Sequence, residues 1–389
     1  MAAEPVLIAG AGIGGLATAI ALSRRGIASH VLERRTAFNE EGAGIQIGPN
    51  ATRVLRELGV ADVLRPYVGI PSQISVRDGA SGIELARLPL GRWIEVRHNA
   101  PYWVALRRDL HAALLQVARD EPLIALSMGF PVEEVAVQDG RVAVADGASQ
   151  AWTGRALIGA DGIFSSVRRL VFKGPEPRFF GKSAARTVLP LGKLPPEFRR
   201  ETGIWLFPDA HVVHYPVSGM TELAVVVVLP DTQEEAGWGT PVPTEWIDDR
   251  LVTASPPLRD LIMQGETWRK WSLHTLAPRR RFAQGPVALL GDAAHPVLPF
   301  LAQGGALAME DGLILATELH GQSDVALALR RYARRRWMRV ARVAAASRRN
   351  GRIYHLSGGP AAARDFALRH VPPRRLMAGY DWIYGWRSD

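Results

Sequence analysis

Three turns, far apart in the chain, each follow a short apolar run. Gly10-Ala11-Gly12-Ile13-Gly14-Gly15 follows Val6-Leu7-Ile8-Ala9, Gly159-Ala160-Asp161-Gly162 follows Ala156-Leu157-Ile158, and Gly291-Asp292 follows Val287-Ala288-Leu289-Leu290. In the first, Gly10 permits a tight turn, Gly12 lets the backbone approach a pyrophosphate and Gly15 lets a helix pack closely on its strand. The free N–H groups and positive dipole end of that helix then face the phosphates. Glu33, with Arg34 beside it, stands about 20 residues further on, where an acid can bind ribose hydroxyls. A lone glycine-rich turn would mean little; preceded by a strand, opening a helix and completed by Glu33, this one predicts a dinucleotide site.

A second kind of chemistry lies in His211-Val212-Val213-His214-Tyr215-Pro216. On a strand, residues 211, 213 and 215 share a face, so His211 and Tyr215 point the same way about 13 Å apart with Val213 between them. An imidazole near neutral pKa can accept or relay a phenolic proton. His214 then faces the other way. Taken alone, the segment is more often a satisfied strand histidine and a core tyrosine.

Elements must exist to hold these groups. The first turn reads as strand, tight turn, helix and strand through Ser29 to Glu33, a βαβ unit. Short continuous apolar runs suit strands covered on both faces, as in a parallel sheet. If the three runs are parallel, their turns emerge at one edge, where open α/β folds bind ligands. From Arg178 to Trp271 the texture changes to β-rich pieces at Gly203 to Phe207, His211 to Val217 and Glu222 to Leu229, which predict antiparallel sheet; Gln73 to Leu88 is a candidate to pair with it. After about Gly321 the chain is Ala- and Arg-rich and helical, ending in alternating Tyr380, Trp382, Tyr384 and Trp386, which suit a strand edge or a packed tail.

Composition bounds the answer. With 389 residues, 47% hydrophobic and 22% charged, the chain is an ordinary globular protein of two or three domains. Having no cysteine, it has no disulfide, thiolate metal site or cysteine nucleophile, and no metal site is expected. Leu223 to Leu229 is far short of the roughly 20 residues that span a bilayer, and the start lacks the pattern of a secretory signal, so a cytoplasmic enzyme is expected. The net charge of +9 is carried by 43 arginines and four lysines, with a dense stretch from Arg330 to Arg352. Such a stretch can hold nucleic acid or an anionic membrane surface, but no nucleic-acid motif accompanies it. Ala333, Trp337, Val340 and Ala344 make it an amphipathic helix whose arginines form a solvated face.

The first turn does not distinguish NAD from FAD. The other two turns favour FAD, a long cofactor that needs contacts from distant segments. Glu33-Arg34, Gly42 to Asn50, Leu106-Arg107-Arg108-Asp109-Leu110, Gly159 to Gly162 and Gly291-Asp292-Ala293-Ala294-His295-Pro296 resemble, in order and across the whole chain, the motifs of the class A flavoprotein aromatic hydroxylases. That family includes 4-hydroxybenzoate, salicylate and 6-hydroxynicotinate hydroxylases. The likeness to its 3-hydroxybenzoate 6-hydroxylase members rests on His211 to Pro216, Thr267 to Trp271, Gly351 to His355 and Trp382 to Trp386.

The resemblance implies a Rossmann-like α/β FAD-binding domain with a parallel sheet (1–72, 99–177 and 275–320), an antiparallel-sheet substrate domain (73–98 and 178–274) and a C-terminal helical region (321–389). Its FAD would be held non-covalently by Gly10, Gly12, Gly14, Gly15, Glu33, Arg34, Arg107, Asp161, Gly162, Gly291 and Asp292. Pro299, Gly304 and Gly305 would meet the flavin ring, with the helix dipole supporting its anionic reduced form. His211 would assist phenol deprotonation and Tyr215 orient the ring, with Gln46, Val213 and Pro299 completing the pocket. Pro299 departs from the 3-hydroxybenzoate members, which carry glutamine there, so the likeness does not carry a particular substrate over. The implied activity is hydroxylation of a small phenolic or hydroxypyridine carboxylate with NADH or NADPH and O₂ through a flavin hydroperoxide. The alternatives are an FAD-dependent reductase or dehydrogenase on the same fold, and an NAD-binding module using only the first unit. A homodimer through the C-terminal helices is a further expectation, and contact of the basic helix with lipid a weaker one.

Overall fold

The computed structural model describes residues 4–38, 44–148, 150–235, 239–277 and 279–388. Gly42 and Ala43 of the loop motif lie outside them. The apolar runs Val6–Ala9, Ala156–Gly159 and Val287–Leu289 are neighbouring strands of one sheet, all parallel, with Ala9 opposite Gly159 and Gly159 opposite Leu289. Ser29–Glu33 and Ile124–Met128 extend it on one side; the short antiparallel Ala283–Gln284 closes the other. The three runs are buried on both faces, between helices such as Ile13–Ser23 and a three-stranded antiparallel sheet (Glu134–Gln138, Arg141–Ala145 and Ala151–Gly154) whose Val142 and Val144 join the same core, which is why their sequences do not alternate. Their turns therefore leave from the same edge.

The second sheet has eight strands in the order Thr240–Val242, Trp268–Thr275, Arg178–Pro190, Glu222–Pro230, Ala210–Val217, Glu201–Phe207, Gln73–Asp78 and Glu84–Pro89. It is antiparallel except where Glu201–Phe207 runs parallel to Gln73–Asp78. One face packs Val212, Val225 and Val227 with Trp205 and Trp268. The opposite face carries Val213, Tyr215 and Ala224 and meets Tyr102, Val104 and Leu106 from outside this sheet. A two-stranded ribbon, Gly44–Ile47 with Trp103–Leu106, lies at that junction.

The Arg-rich stretch lies within a single helix, Val325–Tyr354, that buries Ala333, Val340 and Ala344. The helix is amphipathic as expected, but its arginines do not all lie on a solvated face. Arg336 is buried, donating to Asp311 and Glu310, and Arg339 donates to Glu310 as well. The aromatic tail is no strand edge. Asp381–Tyr384 forms a helical turn. Arg339 donates to the Trp382 and Ile383 carbonyls, Arg53 to those of Tyr384 and Trp386, and Arg342 lies 4.0 Å over the Trp382 ring. Guanidinium groups satisfy the carbonyls that a sheet partner would otherwise need to satisfy. Among the described residues, no helix is long and apolar enough to cross a membrane.

Candidate active site

The three turns line one cleft of about 480 Å³, shared by Gly10, Gly12, Glu33, Arg107, Asp161 and Asp292; Arg34 and Gly162 line it as well. Gly10 has φ +102°, and a Cβ there would lie 2.7 Å from the Ala160 carbonyl oxygen, so the first and second turns touch through this residue. The helix Ile13–Ser23 starts at Gly12 with no side chain capping its N–H groups. A Cβ at Gly12 would meet nothing within 4 Å, while one at Gly15 would lie 1.9 Å from the Gly10 carbonyl oxygen. The two glycines thus answer different demands: open space over the helix terminus at Gly12, backbone contact beneath it at Gly15. Gly14 packs against Leu290 and Ala308, away from the cleft lining.

The acids differ in the same way. Glu33 accepts from the Ala11 and Arg35 N–H groups at 2.9 and 3.0 Å, which fixes its carboxylate at the cleft with lone pairs to spare. Asp161 is tied into its own turn, accepting from the Ser165 hydroxyl at 2.5 Å and the Val167 N–H at 3.1 Å; burial raises its pKa against those bonds. Asp292 accepts no hydrogen bond from a described residue and is exposed to solvent through the cleft, whose enclosing walls raise its pKa by desolvation against the pull of Arg107 and His295. Arg107 starts the helix Arg107–Asp120 directly after its strand.

The cleft fits a dinucleotide. Uncapped helix N–H groups face space that no side chain fills, and a cationic Arg107 lines the same wall.

The third turn continues to the reacting end. Gly291 donates to Asp311, whose carboxylate also takes His295 at 2.7 Å and Arg336 at 2.6 Å. Glu310, the neighbouring acid, accepts from Asn50 at 2.8 Å. This buried network fixes the turn to the helix Gly304–Leu319, whose first N–H groups are again uncapped. Arginines and the Asn50 amide offset the burial of Glu310 and keep its pKa low; His295 and Arg336 do the same for Asp311. Before it, Pro299–Leu301 forms a 3₁₀ turn and Ala302 takes φ +51° to swing the chain into the helix. A Cβ at Gly305 would lie 3.0 Å from Ile45, so this terminus adjoins the Gly44–Ile47 ribbon. Gln46 on that ribbon accepts from the Tyr102 hydroxyl at 2.6 Å.

His211 and Tyr215 lie on one face of the Ala210–Val217 strand, the face turned toward this terminus, and Val213 is half-buried between them. His214 is buried on the other face against Phe198 and Trp205, with its pKa lowered to about 3 by burial. The His211 ring packs 5.6 Å from Phe300 and 5.4 Å from Tyr354, and its Nδ1 lies 2.9 Å from His355 Nε2. Burial, with His355 and Lys182 nearby, holds His211 well below the usual imidazole range; His355 is lowered to about 4, again by burial first. Both rings are neutral at pH 7, so one donates to the other. Among the described residues, His211 Nε2 has no partner. The Tyr215 hydroxyl lies where a Cβ on Gly44 would approach it to 2.5 Å, and burial pushes its pKa up to about 12 despite Arg186.

A family comparison identifies this arrangement. The FAD binding domain family matches residues 3–347. The chain belongs to the class A flavoprotein monooxygenases. This flavoprotein is 36% identical over 385 residues to a 3-hydroxybenzoate 6-hydroxylase of Polaromonas naphthalenivorans (strain CJ2), covering 98% of this chain and 96% of the relative. It is 34% identical to the 3-amino-4-hydroxybenzoate 2-monooxygenase PtnB3 of Streptomyces platensis, covering 98% and 96%. Its fold matches that of Klebsiella pneumoniae HpxO complexed with FAD and uric acid at TM-score 0.87 and 26% identity, over 98% of this chain and 96% of that one. The flavoprotein is an FAD-dependent aromatic monooxygenase.

Three residues at the reacting end were not assigned roles from sequence. His355 and Trp271 fall in segments that carried the family likeness, and Arg186 lies in none. No local pattern flags Arg186; only strand pairing reveals which face it shares.

Proposed function

We propose that this monooxygenase hydroxylates a small phenolic or hydroxypyridine carboxylate, using NAD(P)H and O₂. The observation that carries the reading is the shared face of His211, Val213 and Tyr215, set against the Gly44–Ile47 ribbon and the uncapped helix terminus at Gly304 and Gly305. Bound FAD supplies the redox chemistry, accepting electrons from NAD(P)H and delivering one oxygen atom from O₂ to the ring. The chain supplies everything else. Gly10, Gly12 and Gly15 shape the pyrophosphate seat, Glu33 takes the adenosine ribose, and Arg107, Asp161, Gly162, Gly291 and Asp292 line the path toward the ring.

His211 Nε2 accepts the phenolic proton, and Nδ1–H donates to His355, which fixes the tautomer and gives the proton an exit. Tyr215 remains protonated and orients the substrate through its hydroxyl. Phe300, Tyr354 and Val213 form apolar walls that keep water from the reacting atoms. Gln46 and Pro299 bound the pocket on the flavin side. The hydroxybenzoate named for the 36%-identical relative supports the substrate class.

The test is a panel of hydroxybenzoates, salicylates and hydroxynicotinates, with NAD(P)H oxidation recorded beside product. A hydroxylated product in proportion to NAD(P)H consumed supports the reading. Oxidation that no aromatic acid stimulates would instead favour a flavin reductase.

A further inference from the structure

Among the described residues, no anion faces Arg186. It lies in the middle of the Arg178–Pro190 strand, and among the described residues its guanidinium makes no hydrogen bond or ion pair. Its Nε is shut off from solvent and unpartnered, although the residue as a whole is only half-buried. Its close contact is the Trp271 ring, 4.8 Å away. A ring offsets part of the charge but offers no oxygen to the N–H fork. Enclosing a charged donor unpaired is costly, and such groups normally have a partner.

The sheet register shows where that partner would sit. Alternate residues Ala185 and Leu189 belong to the far-face core. Ala184 packs with Val228, Leu298 and Phe300, and Val188 packs with the Tyr215 cluster, so Arg186 emerges between them on the His211 and Tyr215 face. It pairs with Val226, and Val226 pairs with Val213. Two strand spacings, about 10 Å, thus separate the backbone of Arg186 from that of Val213, a gap that an arginine side chain largely spans. Arg186 also interacts electrostatically with Tyr215 on that face and with Arg107.

We infer that Arg186 is the anchor for the carboxylate of the aromatic substrate, gripping it through its N–H fork while Trp271 supports the guanidinium from behind. The inference rests on the proposed substrate reading and adds its anionic determinant. With the carboxylate held on the Arg178–Pro190 side of Val213, the ring lies over Val213 and a phenolic oxygen can reach His211. A neutral ring would fill the same walls and leave the cation unpaired, so the pocket selects for charge.

The experiment uses FAD-loaded protein and follows the change in flavin absorbance as ligand is added. The probes are 3-hydroxybenzoate, salicylate and 6-hydroxynicotinate, each beside its carboxamide. In the wild type at least one acid should bind 10-fold or more tightly than its amide. In Arg186→Met that acid should weaken 10-fold or more while the amide is unchanged, and Arg186→Lys should recover part of the preference. FAD content should stay constant, and the melting temperature of Arg186→Met should not fall, because an unpaired charge is removed. Equal binding of acid and amide by the wild type would overturn the anchor and leave the aromatic reading standing. Equal loss of both in Arg186→Met, or loss of FAD, would make Arg186 a structural or cofactor residue and overturn the anchor. If no probe perturbs the wild-type flavin, the proposed substrate class falls and the anchor with it.

Discussion

The cleft proposed for the cofactor phosphates and the sheet face proposed for the substrate are built by opposite means. The cleft is mostly backbone: Gly10 at φ +102°, Gly12 with nothing within 4 Å of its missing Cβ, and uncapped N–H groups at the start of Ile13–Ser23. The substrate face is side chains on a sheet, where His211, Tyr215, Arg186 and His355 converge from three elements. A site made of backbone geometry needs particular residue types in consecutive positions. One made of strand faces needs only register, and many sequences satisfy it. The first should therefore tolerate change in what surrounds it, and the second should be retuned by single side chains.

The largest effect should come from the substrate face. His211→Ala is expected to lower coupled hydroxylation by about 10²–10⁴-fold while FAD binding persists, read as product formed per second at saturating NAD(P)H. In the wild type, the acid limb of kcat/KM should fall below pH 6.5, since burial holds His211 neutral to lower pH. A wild-type rate and pH profile in the variant would remove the histidine from the chemistry.

The next effect concerns stability and the same side chains. His211, His214 and His355 are kept neutral in the fold but take protons when unfolded. Their contribution is complete above about pH 6.5 and is lost as pH falls toward their lowered folded pKa values. The loss should be about 1.4 kcal/mol per pH unit for each histidine. Urea midpoints from pH 7.5 to 5 should decline accordingly, and His214→Leu should flatten the slope by one histidine's share. An unchanged slope would contradict the neutral burial of His214.

The cleft predicts a separation within one motif. Gly15→Ala forces a Cβ onto the Gly10 carbonyl and should destabilise the fold by about 1–3 kcal/mol or more in thermal unfolding. Gly12→Val meets only open space in the chain, so it should fold normally yet weaken FAD in a titration. Equal behaviour of the two variants would erase the distinction drawn between them. The smallest effect is expected for Glu33→Ala, a several-fold loss of FAD affinity, because Glu33 also fixes the Ala11 N–H. Unchanged affinity would take the ribose contact away.

This contrast also explains what the sequence disclosed. The three parallel strands and their turns were legible because doubly covered strands need unbroken apolar runs and tight turns need glycine. The sharing of one face by His211 and Tyr215, with His214 opposite, followed from period-two alternation alone. Arg186 was not legible because its neighbours Val226 and Trp271 are distant in the chain and meet it only through pairing. The inward arginines of Val325–Tyr354 were hidden by the Glu310-Asp311 pair, which looks like a solvated step in a helix until Arg336 closes over it. The aromatic tail left a strand edge and a packed tail both open because its two-residue spacing suits either; it is the packed tail, with Arg53 and Arg339 binding its carbonyls in a turn.

The most direct test is a structure of the FAD-loaded protein with the panel acid that gives the most coupled product. The cofactor should run from Glu33 past Gly12 and Asp292 to Gly305, with the aromatic ring over Val213 and its hydroxyl within hydrogen-bond distance of His211 Nε2. A ring bound elsewhere, or a flavin end remote from the His211 and Tyr215 face, would contradict the account.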